Sequence, residues 1–293
     1  MISPASPFSR EEFAGGVAEL QRLGFEPVFD ESVFERTGFT SGPASTRAAA
    51  FTRAWDDPSI AALIAVRGGY GSVQMLAALD GWTPRRTPKL FIGYSDNTSV
   101  LGWLTTRQEL TALHGPMLEG RLSKLREGYD EASFMALVQG RGKGLELRPE
   151  MLTTLRAGTA AGPLHGGTMT QLVASLGTPF AFAPPPGSIL FLEDVNERPY
   201  KLDRMLMQLR LSGLLERAAG LVFGEMRGCD EPGGAVTARD TIAAALTGFT
   251  GPVLYGFPSG HTTGPTWSLP LGVAVRVNGS AMPSLIVEES PVE

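Results

Sequence analysis

The first half of the chain alternates short apolar runs with segments whose apolar residues recur every three or four positions. Residues 61–66 are apolar throughout, which is typical of a strand buried on both faces of a sheet. Apolar residues with helical spacing occupy most of the segments between such runs. The predicted helices of this half cover residues 10–23, 46–55, a segment ending at 79 and one beginning at 97, and the predicted strands cover 26–29, 61–66, 90–92 and 111–113. Strands and helices that alternate in this way predict a parallel sheet with helices on both faces.

The pattern loosens between residues 115 and 158, where charged residues and glycines are frequent and one helix is predicted, at 131–137. We therefore predict an N-terminal domain at residues 1–120, a linker region at 121–157 and a C-terminal domain at 158–293. Around and after the linker region, the predicted strands are 145–148, 151–155, 188–192, 220–224, 253–255, 267–269, 273–277 and 285–287, and the predicted helices are 168–176, 200–215 and 237–246.

Composition and charge exclude several classes of protein and site. The 293 residues carry a net charge of −5, which argues against nucleic acid or an anionic membrane as the main partner. The single cysteine, Cys229, excludes an intrachain disulfide and a cysteine-built metal site. No apolar run reaches the roughly 18 residues of a membrane span, and the N-terminus lacks the basic flank and apolar stretch of a signal peptide. We therefore expect a cytoplasmic protein without a resident metal.

A sharp turn follows the predicted strand at residues 90–92. The turn reads G-Y-S-D and leads into a predicted helix, so that Ser95 stands at a strand-to-helix corner. A nucleophilic serine occupies such a corner in a nucleophile elbow, where the turn exposes Oγ and the helix N-terminus supplies backbone N–H groups. The alternative is that Ser95 or Asp96 only caps the helix. This alternative has support because the segment departs from the G-x-S-x-G motif, with Asn97 where the motif has its second glycine. This stretch alone leaves both interpretations open.

A second turn, R-G-G-Y-G-S at residues 67–72, follows the predicted strand at 61–66. Because the carboxyl ends of parallel strands meet at one edge of a sheet, this turn is expected to lie beside the Ser95 turn. Its glycine amides could bind a phosphate or a developing oxyanion, or the turn could simply need the positive φ that glycine adopts. The turn matches neither G-x-x-x-x-G-K-[ST] nor G-x-G-x-x-G, which disfavours the phosphate.

Three carboxylates follow the predicted strand at residues 188–192, namely Glu193, Asp194 and Glu197. A carboxylate at a strand end can orient a histidine, which is the third role in a nucleophilic triad. Alternatively, the three residues only place negative charge at the N-terminus of the next helix. The sequence pattern alone does not indicate which of the three carboxylates would have the triad role.

Only three histidines are available as a general base. His261 lies in the loop G-F-P-S-G-H, where an exposed imidazole can transfer protons. His114, at a predicted strand end, and His165, in a predicted glycine-rich turn, are interpreted as structural residues that make ordinary loop hydrogen bonds.

Five segments carry a resemblance that spans nearly the whole chain. They are A-V-R-G-G-Y-G-S (65–72), I-G-Y-S-D-N-T (92–98), H-G-P (114–116), L-F-L-E-D-V (190–195) and G-F-P-S-G-H (256–261). In this order they resemble the LD-carboxypeptidase family of serine peptidases, which also contains self-immunity peptidases for peptide-nucleotide antibiotics. The resemblance implies an N-terminal flavodoxin- or Rossmann-like parallel-sheet domain, a C-terminal β-rich α/β domain and a site between them. Family members usually begin with a full strand, whereas here Met1-Ile2 is followed at once by S-P-A-S-P, so either the first strand is very short or Met1 is not the natural start.

The resemblance also assigns roles to particular residues. The nucleophile of the family is the serine of the G-Y-S-D turn, which corresponds to Ser95. The glutamate that ends the L-F-L-E strand corresponds to Glu193, and the histidine of the late G-H loop corresponds to His261. The backbone N–H groups of Asp96 and Gly69 would bind the oxyanion.

The implied activity is hydrolysis of an L,D-peptide bond that releases a C-terminal D-amino acid, D-alanine from a murein tetrapeptide, without a cofactor. Arg67, Gly68 and Tyr94 are the candidates for substrate binding. Arg67 could pair with the substrate carboxylate, or it could form a salt bridge that holds its own turn. The expected partner is a murein peptide or a related small peptide, with neither nucleic acid nor membrane, and a homodimer is a family expectation.

Three alternatives to this activity stay open. The nearest is an immunity-type peptidase that cleaves a peptide-nucleotide antibiotic or a related acyl amide. A catalytically silent binder of cell-wall peptides and a nucleotide-binding flavodoxin-like protein come from other functional classes.

Overall fold

The computed structural model describes residues 1–85 and 89–292. Its helices are α1 (Arg10–Arg22), α2 (Ala44–Asp56), α3 (Ser72–Leu79), α4 (Thr98–Thr106), α5 (Glu131–Val138), α6 (Met169–Ser175), α7 (Pro199–Leu211), α8 (Leu214–Arg217) and α9 (Ala238–Ala245). Its strands are β1 (Ala62–Ile64), β2 (Leu90–Gly93), β3 (Ala112–His114), β4 (Glu146–Leu147), β5 (Thr153–Arg156), β6 (Gly158–Thr168), β7 (Ile189–Glu193), β8 (Gly220–Gly224), β9 (Val253–Phe257), β10 (Leu269–Leu271), β11 (Ala274–Gly279) and β12 (Ser284–Val287). Within the two described ranges, no helix has the length and hydrophobicity that crossing a bilayer requires.

The first sheet has the strand order β1-β2-β3-β10. β1, β2 and β3 run parallel, and β10 arrives from the far end of the chain to pair antiparallel with β3, with Leu269 opposite His114. At the other edge the N-terminus adds a bridge between Ile2 and Ala65. Among the described residues, the N-terminal segment contributes this single bridge to the sheet and no longer strand.

The second sheet has the order β4-β12-β11-β6-β7-β8-β9-β5. β6, β7, β8 and β9 are parallel neighbours, and the flanking strands pair antiparallel. Every residue of β7 and β8 is buried, as expected for strands that are apolar apart from the terminal Glu193 of β7 and lie between two covered faces. The predicted α/β fold class, with a parallel sheet in the N-terminal part and more strands in the C-terminal part, is confirmed.

One predicted strand is absent. Residues 26–29 have no regular structure, because Pro27 has no N–H group to give to a strand ladder. The carbonyl of Val28 accepts instead from the N-terminal ammonium group of Met1, at 2.6 Å. The sequence shows apolar residues here, but Val28 and Phe29 stay exposed.

The glycine-rich segment around His165 is a strand, not the predicted turn. It belongs to β6, which is 11 residues long, and His165 is buried within it. The glycines are required because a Cβ on Gly166 would collide with the carbonyl oxygen of Phe191 on β7. The predicted helix at residues 200–215 is divided into α7 and α8, because Gly213 takes a φ of 75° between them.

The two sheets meet along α4 and β6. The hydroxyl of Thr98, at the start of α4, accepts a hydrogen bond from the N–H of Thr168, at the end of β6, at 3.1 Å. One buried apolar cluster continues across this contact and includes Phe91 of β2 and Phe191 of β7. This packing brings the carboxyl ends of β2 and β7 together.

Candidate active site

Ser95 lies at the turn between β2 and α4, as its sequence predicts. Tyr94 is extended, and Ser95 then takes a φ of 63°, in the left-handed region that residues other than glycine rarely occupy. A single 3₁₀ turn, Ser95–Asn97, continues directly into α4. A strained corner at the end of a buried strand, with the serine beside a helix N-terminus, is the geometry of a nucleophile elbow.

The side chain of Asp96 connects the Ser95 turn to the glycine-rich turn and does not cap α4. Its Oδ2 accepts from the N–H of Ser72 at the start of α3, at 2.7 Å, and the Ser72 hydroxyl donates to the Asp96 carbonyl. Burial raises the pKa of the Asp96 carboxyl. The N-cap of α4 is Asn97, which forms no side-chain cap bond. The capping alternative therefore describes neither Ser95 nor Asp96.

The glycine-rich turn after β1 packs directly on Ser95. A Cβ placed on Gly68 would lie 2.8 Å from the Ser95 Cβ, 3.0 Å from its Oγ and 3.5 Å from the Asp96 nitrogen. Gly69 takes a φ of 98°, and a Cβ there would collide with the Ser6 hydroxyl. Only glycine at these two positions therefore lets the backbone of this turn lie beside the serine.

His261 lies between Ser95 and Glu193. Its Nε2 is 3.1 Å from the Ser95 Oγ, and its Nδ1 is 2.9 Å and 3.2 Å from the two carboxylate oxygens of Glu193. The backbone N–H of His261 also donates to Glu193, at 3.2 Å. A carboxylate that accepts from Nδ1–H leaves Nε2 without a proton, so Nε2 can accept one from the serine hydroxyl.

Glu193 closes β7, with 1% of its surface exposed. Burial alone would raise the pKa of its carboxyl, but the charge and hydrogen bond of His261 outweigh that effect and lower the pKa, with help from His114 and Thr168. Thr168 donates its hydroxyl to Oε1. A Cβ on Gly260 would lie 2.8 Å from the Glu193 carboxyl carbon, so only glycine lets the His261 loop approach this closely.

The other two carboxylates of this segment have different partners. Asp194 accepts from the N–H and the hydroxyl of Thr170, at 2.9 Å and 2.8 Å, at the start of α6. Glu197 pairs with Lys201 at 2.9 Å, one turn along the chain. Of the three carboxylates that the sequence left open, Glu193 is the one that contacts His261.

Two of the substrate-binding candidates are engaged by protein groups. Arg67 pairs with Glu119 at 3.1 Å and donates to the Pro7 carbonyl at 2.8 Å, so it forms the salt bridge that its sequence position left open. The Tyr94 hydroxyl accepts from the Nε of Arg121 at 3.3 Å. A contact of either residue with substrate stays a prediction.

The remaining histidines hydrogen-bond to hydroxyl groups. The Nδ1 of His114 lies 2.8 Å from the Ser259 Oγ, and the Nδ1 of His165 lies 3.3 Å from the Thr105 Oγ1. Burial lowers the pKa of each imidazole to about 4, so both are neutral at pH 7. Neither ring takes the place of His261 beside Ser95.

Sequence reasoning missed Arg121, a buried residue that touches the loop carrying His261. Its Nη2 donates to the carbonyl of Gly260, at 2.7 Å. Arg121 lies in the irregular segment after β3, where no apolar period and no motif distinguishes it from the surface arginines nearby.

Comparisons with known proteins match the chain over both halves. The sequence profile of the LD-carboxypeptidase N-terminal domain matches residues 1–115, and that of the LD-carboxypeptidase C-terminal domain matches residues 161–277. Relatives include the murein tetrapeptide carboxypeptidase of Pseudomonas aeruginosa, 31% identical over 89% of this chain and 87% of the relative. They also include the microcin C7 self-immunity protein of Escherichia coli, 26% identical over 94% of this chain and 88% of the relative.

A solved structure shares the fold at similar coverage. It is the crystal structure of the muramoyltetrapeptide carboxypeptidase from Oxalobacter formigenes, with a TM-score of 0.84 and 26% identity over 99% of this chain and 98% of that one. The profiles, the relatives and the common fold agree with the resemblance carried by the five sequence segments. The chain belongs to the LD-carboxypeptidase family of serine-type peptidases.

Proposed function

We propose that the chain hydrolyses an L,D-peptide bond next to a free C-terminus and releases a D-amino acid, D-alanine from a murein tetrapeptide. The proposal is carried by a chain of two hydrogen-bond contacts. The Ser95 Oγ lies 3.1 Å from Nε2 of His261, and Nδ1 of His261 lies 2.9 Å from a carboxylate oxygen of Glu193. The substrate class is supported by two of the proteins that the chain resembles, which are carboxypeptidases of murein or muramoyl tetrapeptides.

In the proposed mechanism, His261 takes the hydroxyl proton while the Ser95 Oγ attacks the carbonyl carbon of the scissile bond. Glu193 accepts from Nδ1–H, fixes the tautomer and stabilises the imidazolium that forms. The tetrahedral oxyanion accepts from the backbone N–H groups of Asp96 and Gly69. The C–N bond then breaks, and His261 gives its proton to the amine of the departing D-amino acid.

The second half of the reaction uses the same groups with water. His261 accepts a proton from a water molecule, whose oxygen attacks the acyl carbon on Ser95. The bond from the acyl carbon to the Ser95 Oγ breaks, and His261 returns its proton to the serine. All of these steps are proton transfers and acyl transfers, so no redox partner takes part in them.

The proposed site combines a nucleophile from an N-terminal domain at residues 1–120 with a base and an acid from a C-terminal domain at 158–293. Residues 121–157 would join the two domains. The cytoplasmic location and the homodimer remain predictions from the sequence.

The purified protein is expected to release free D-alanine from L-Ala-D-Glu-meso-diaminopimelate-D-Ala, measured by chiral chromatography. The same peptide ending in L-alanine is the matched control, and no release is expected from it. Failure of the wild-type protein to release D-alanine would contradict the assigned substrate.

The similarity to the microcin C7 self-immunity protein supports the immunity-type activity as a second candidate. An aminoacyl sulfamoyl adenosine offered in parallel tests it, since faster cleavage of that compound than of the tetrapeptide would reverse the order of the two candidates. Binding of the tetrapeptide without release would indicate a silent binder. Flavin or nucleotide absorbance in the purified protein would support the nucleotide-binding alternative.

Gly68→Ala is expected to lower kcat by about 10², because the added methyl group needs space that the Ser95 side chain occupies and a small displacement of a nucleophile is costly. Gly68 does not take a left-handed φ, so the expected effect comes from the contacts of the added methyl group and not from a left-handed backbone. The measurement is kcat beside the melting temperature. Gly102→Ala is the control, since its Cβ would meet only the Phe182 ring, at 3.6 Å. An unchanged kcat in Gly68→Ala would show that the serine does not depend on this contact.

A further inference from the structure

Arg121 is a buried cation beside the candidate site. It immediately precedes the 3₁₀ segment Leu122–Glu127, and 9% of its surface is exposed. In the part of the chain that the structure describes, the hydrogen-bond partners of its guanidinium are carbonyl and hydroxyl oxygens, which belong to Tyr94, Gly128, Gly260, Thr262 and Gly264. A guanidinium without an opposing carboxylate is unfavourable to bury unless its N–H groups are satisfied. These oxygens therefore make its burial possible.

The carbonyls that Arg121 contacts lie on both sides of His261. Its Nη2 donates to Gly260, the residue before His261, at 2.7 Å, and to Thr262, the residue after it, at 3.4 Å. Its Nη1 reaches the Gly264 carbonyl, farther along the same loop, at 3.2 Å. One side chain thus contacts the backbone of this loop at three points around the histidine.

The same guanidinium also contacts the residue that precedes Ser95. Its Nε donates to the Tyr94 hydroxyl at 3.3 Å, and its central carbon lies 5.8 Å from the centre of the Tyr94 ring. The Tyr94 ring in turn packs edge-on against the His261 imidazole, with 5.2 Å between ring centres. Arg121 therefore connects the His261 loop to the Ser95 turn, which come from different sheets.

We propose that Arg121 is a positioning residue that holds the His261 loop against the Ser95 turn, so that Nε2 stays within reach of the serine hydroxyl. The inference rests on the proposed nucleophile and base. The planar guanidinium has five N–H donors in a fixed fork, which is what several carbonyls around one loop require. A lysine ammonium has the charge but not the fork. Loss of Arg121 should therefore affect the chemical step more than substrate binding.

Arg121→Ala is expected to lower kcat for D-alanine release by about 10², the cost of a misplaced catalytic group, while KM changes by less than about threefold. Arg121→Lys is expected to lose about tenfold, because it restores the charge without the fork. Guanidinium ion at a concentration that does not denature the protein should restore part of the activity of Arg121→Ala. Arg126→Ala is the matched control, since Arg126 is a surface arginine that pairs with Glu131 at 2.9 Å.

A second measurement needs no substrate and so separates this inference from the proposed function. The chain has three histidines, which makes the imidazole NMR spectrum of ¹⁵N-histidine-labelled protein simple to assign. The Nδ1–H of His261, bonded to Glu193, is expected to exchange with water much faster in Arg121→Ala than in wild type. The signals of His165 should not change. Arg121→Lys is measured in the same way, so the comparison stands if the alanine variant does not fold.

The inference is overturned if Arg121→Ala, or Arg121→Lys where alanine prevents folding, keeps the wild-type exchange rate of the His261 signal. It is also overturned if Arg121 variants raise KM with kcat unchanged, which would place Arg121 in substrate binding. If the tetrapeptide is not cleaved by the wild type, the substrate assignment fails, but the exchange rates still decide the role of Arg121.

Discussion

Ser95→Ala is expected to lower kcat for D-alanine release by about 10⁶, the loss seen when a serine peptidase loses its nucleophile. In the proposed mechanism, the hydroxyl whose Oγ lies 3.1 Å from His261 forms the acyl-enzyme, and no neighbouring side chain replaces it. KM for the tetrapeptide should change little, because substrate binding does not need the hydroxyl. The measurement is D-alanine release at saturating peptide, together with mass spectrometry for an acylated protein in wild type only.

Ser99→Ala is the matched control for this variant. Ser99 lies one turn farther along, on α4, where its hydroxyl donates to the Gln171 side chain at 3.4 Å, and among the described residues no hydrogen bond joins it to the proposed triad. The control should keep wild-type kcat. Release that continues undiminished in Ser95→Ala would remove the nucleophile assignment.

The sequence predicted the strands that are fully buried and apolar. It was misleading where glycine or proline determines the backbone conformation. β8 and all of β7 except its terminal Glu193 are continuous apolar runs, and both strands were located correctly. β6 was missed because its glycines, required where Gly166 approaches the carbonyl of Phe191, resemble a turn. The strand predicted at residues 26–29 failed because one proline outweighs the apolar residues around it.

The sequence predicted which residues form the candidate site but not the contacts among them. Residue types and strand-end positions located the Ser95 turn, and the family resemblance selected Glu193 and His261 for the other two roles. The sequence could not supply the distances that join residues of separate sheets, and it could not distinguish Glu193 from Asp194 by its own pattern. Arg121 was missed because its contacts are with backbone carbonyls of distant loops, and such contacts leave no motif.

Glu193→Gln is expected to lower kcat by about 10⁴, the loss that follows when a triad carboxylate becomes an amide. The amide N–H group that replaces a carboxylate oxygen can donate to Nδ1 of His261, which leaves the imidazole proton on Nε2. That nitrogen lies 3.1 Å from the Ser95 Oγ and could then no longer accept the serine proton. The neutral amide also removes the charge that stabilises the imidazolium. The measurement is kcat for D-alanine release, with circular dichroism to establish that the variant is folded.

Glu197→Gln is the matched control, because Glu197 lies four residues away and pairs with Lys201 instead of His261. It should keep kcat within about twofold, as expected for the loss of a partly exposed ion pair. If Glu197→Gln loses more activity than Glu193→Gln, the triad role belongs to Glu197.

The pH dependence of stability gives an independent test of the same carboxyl. Because the pKa of Glu193 is lowered in the folded chain by His261, against the opposing effect of burial, folding favours its ionised form. The stability that it contributes is present above the pKa of an unfolded glutamate, about 4.3, and is lost as pH falls through the lower pKa of the folded chain. The difference in the free energy of unfolding between wild type and Glu193→Gln, measured in urea, should therefore shrink as the pH falls below ~4. A difference that grows on acidification would mean that the folded chain favours the protonated carboxyl, and Glu193 could not then act as the charged partner of His261.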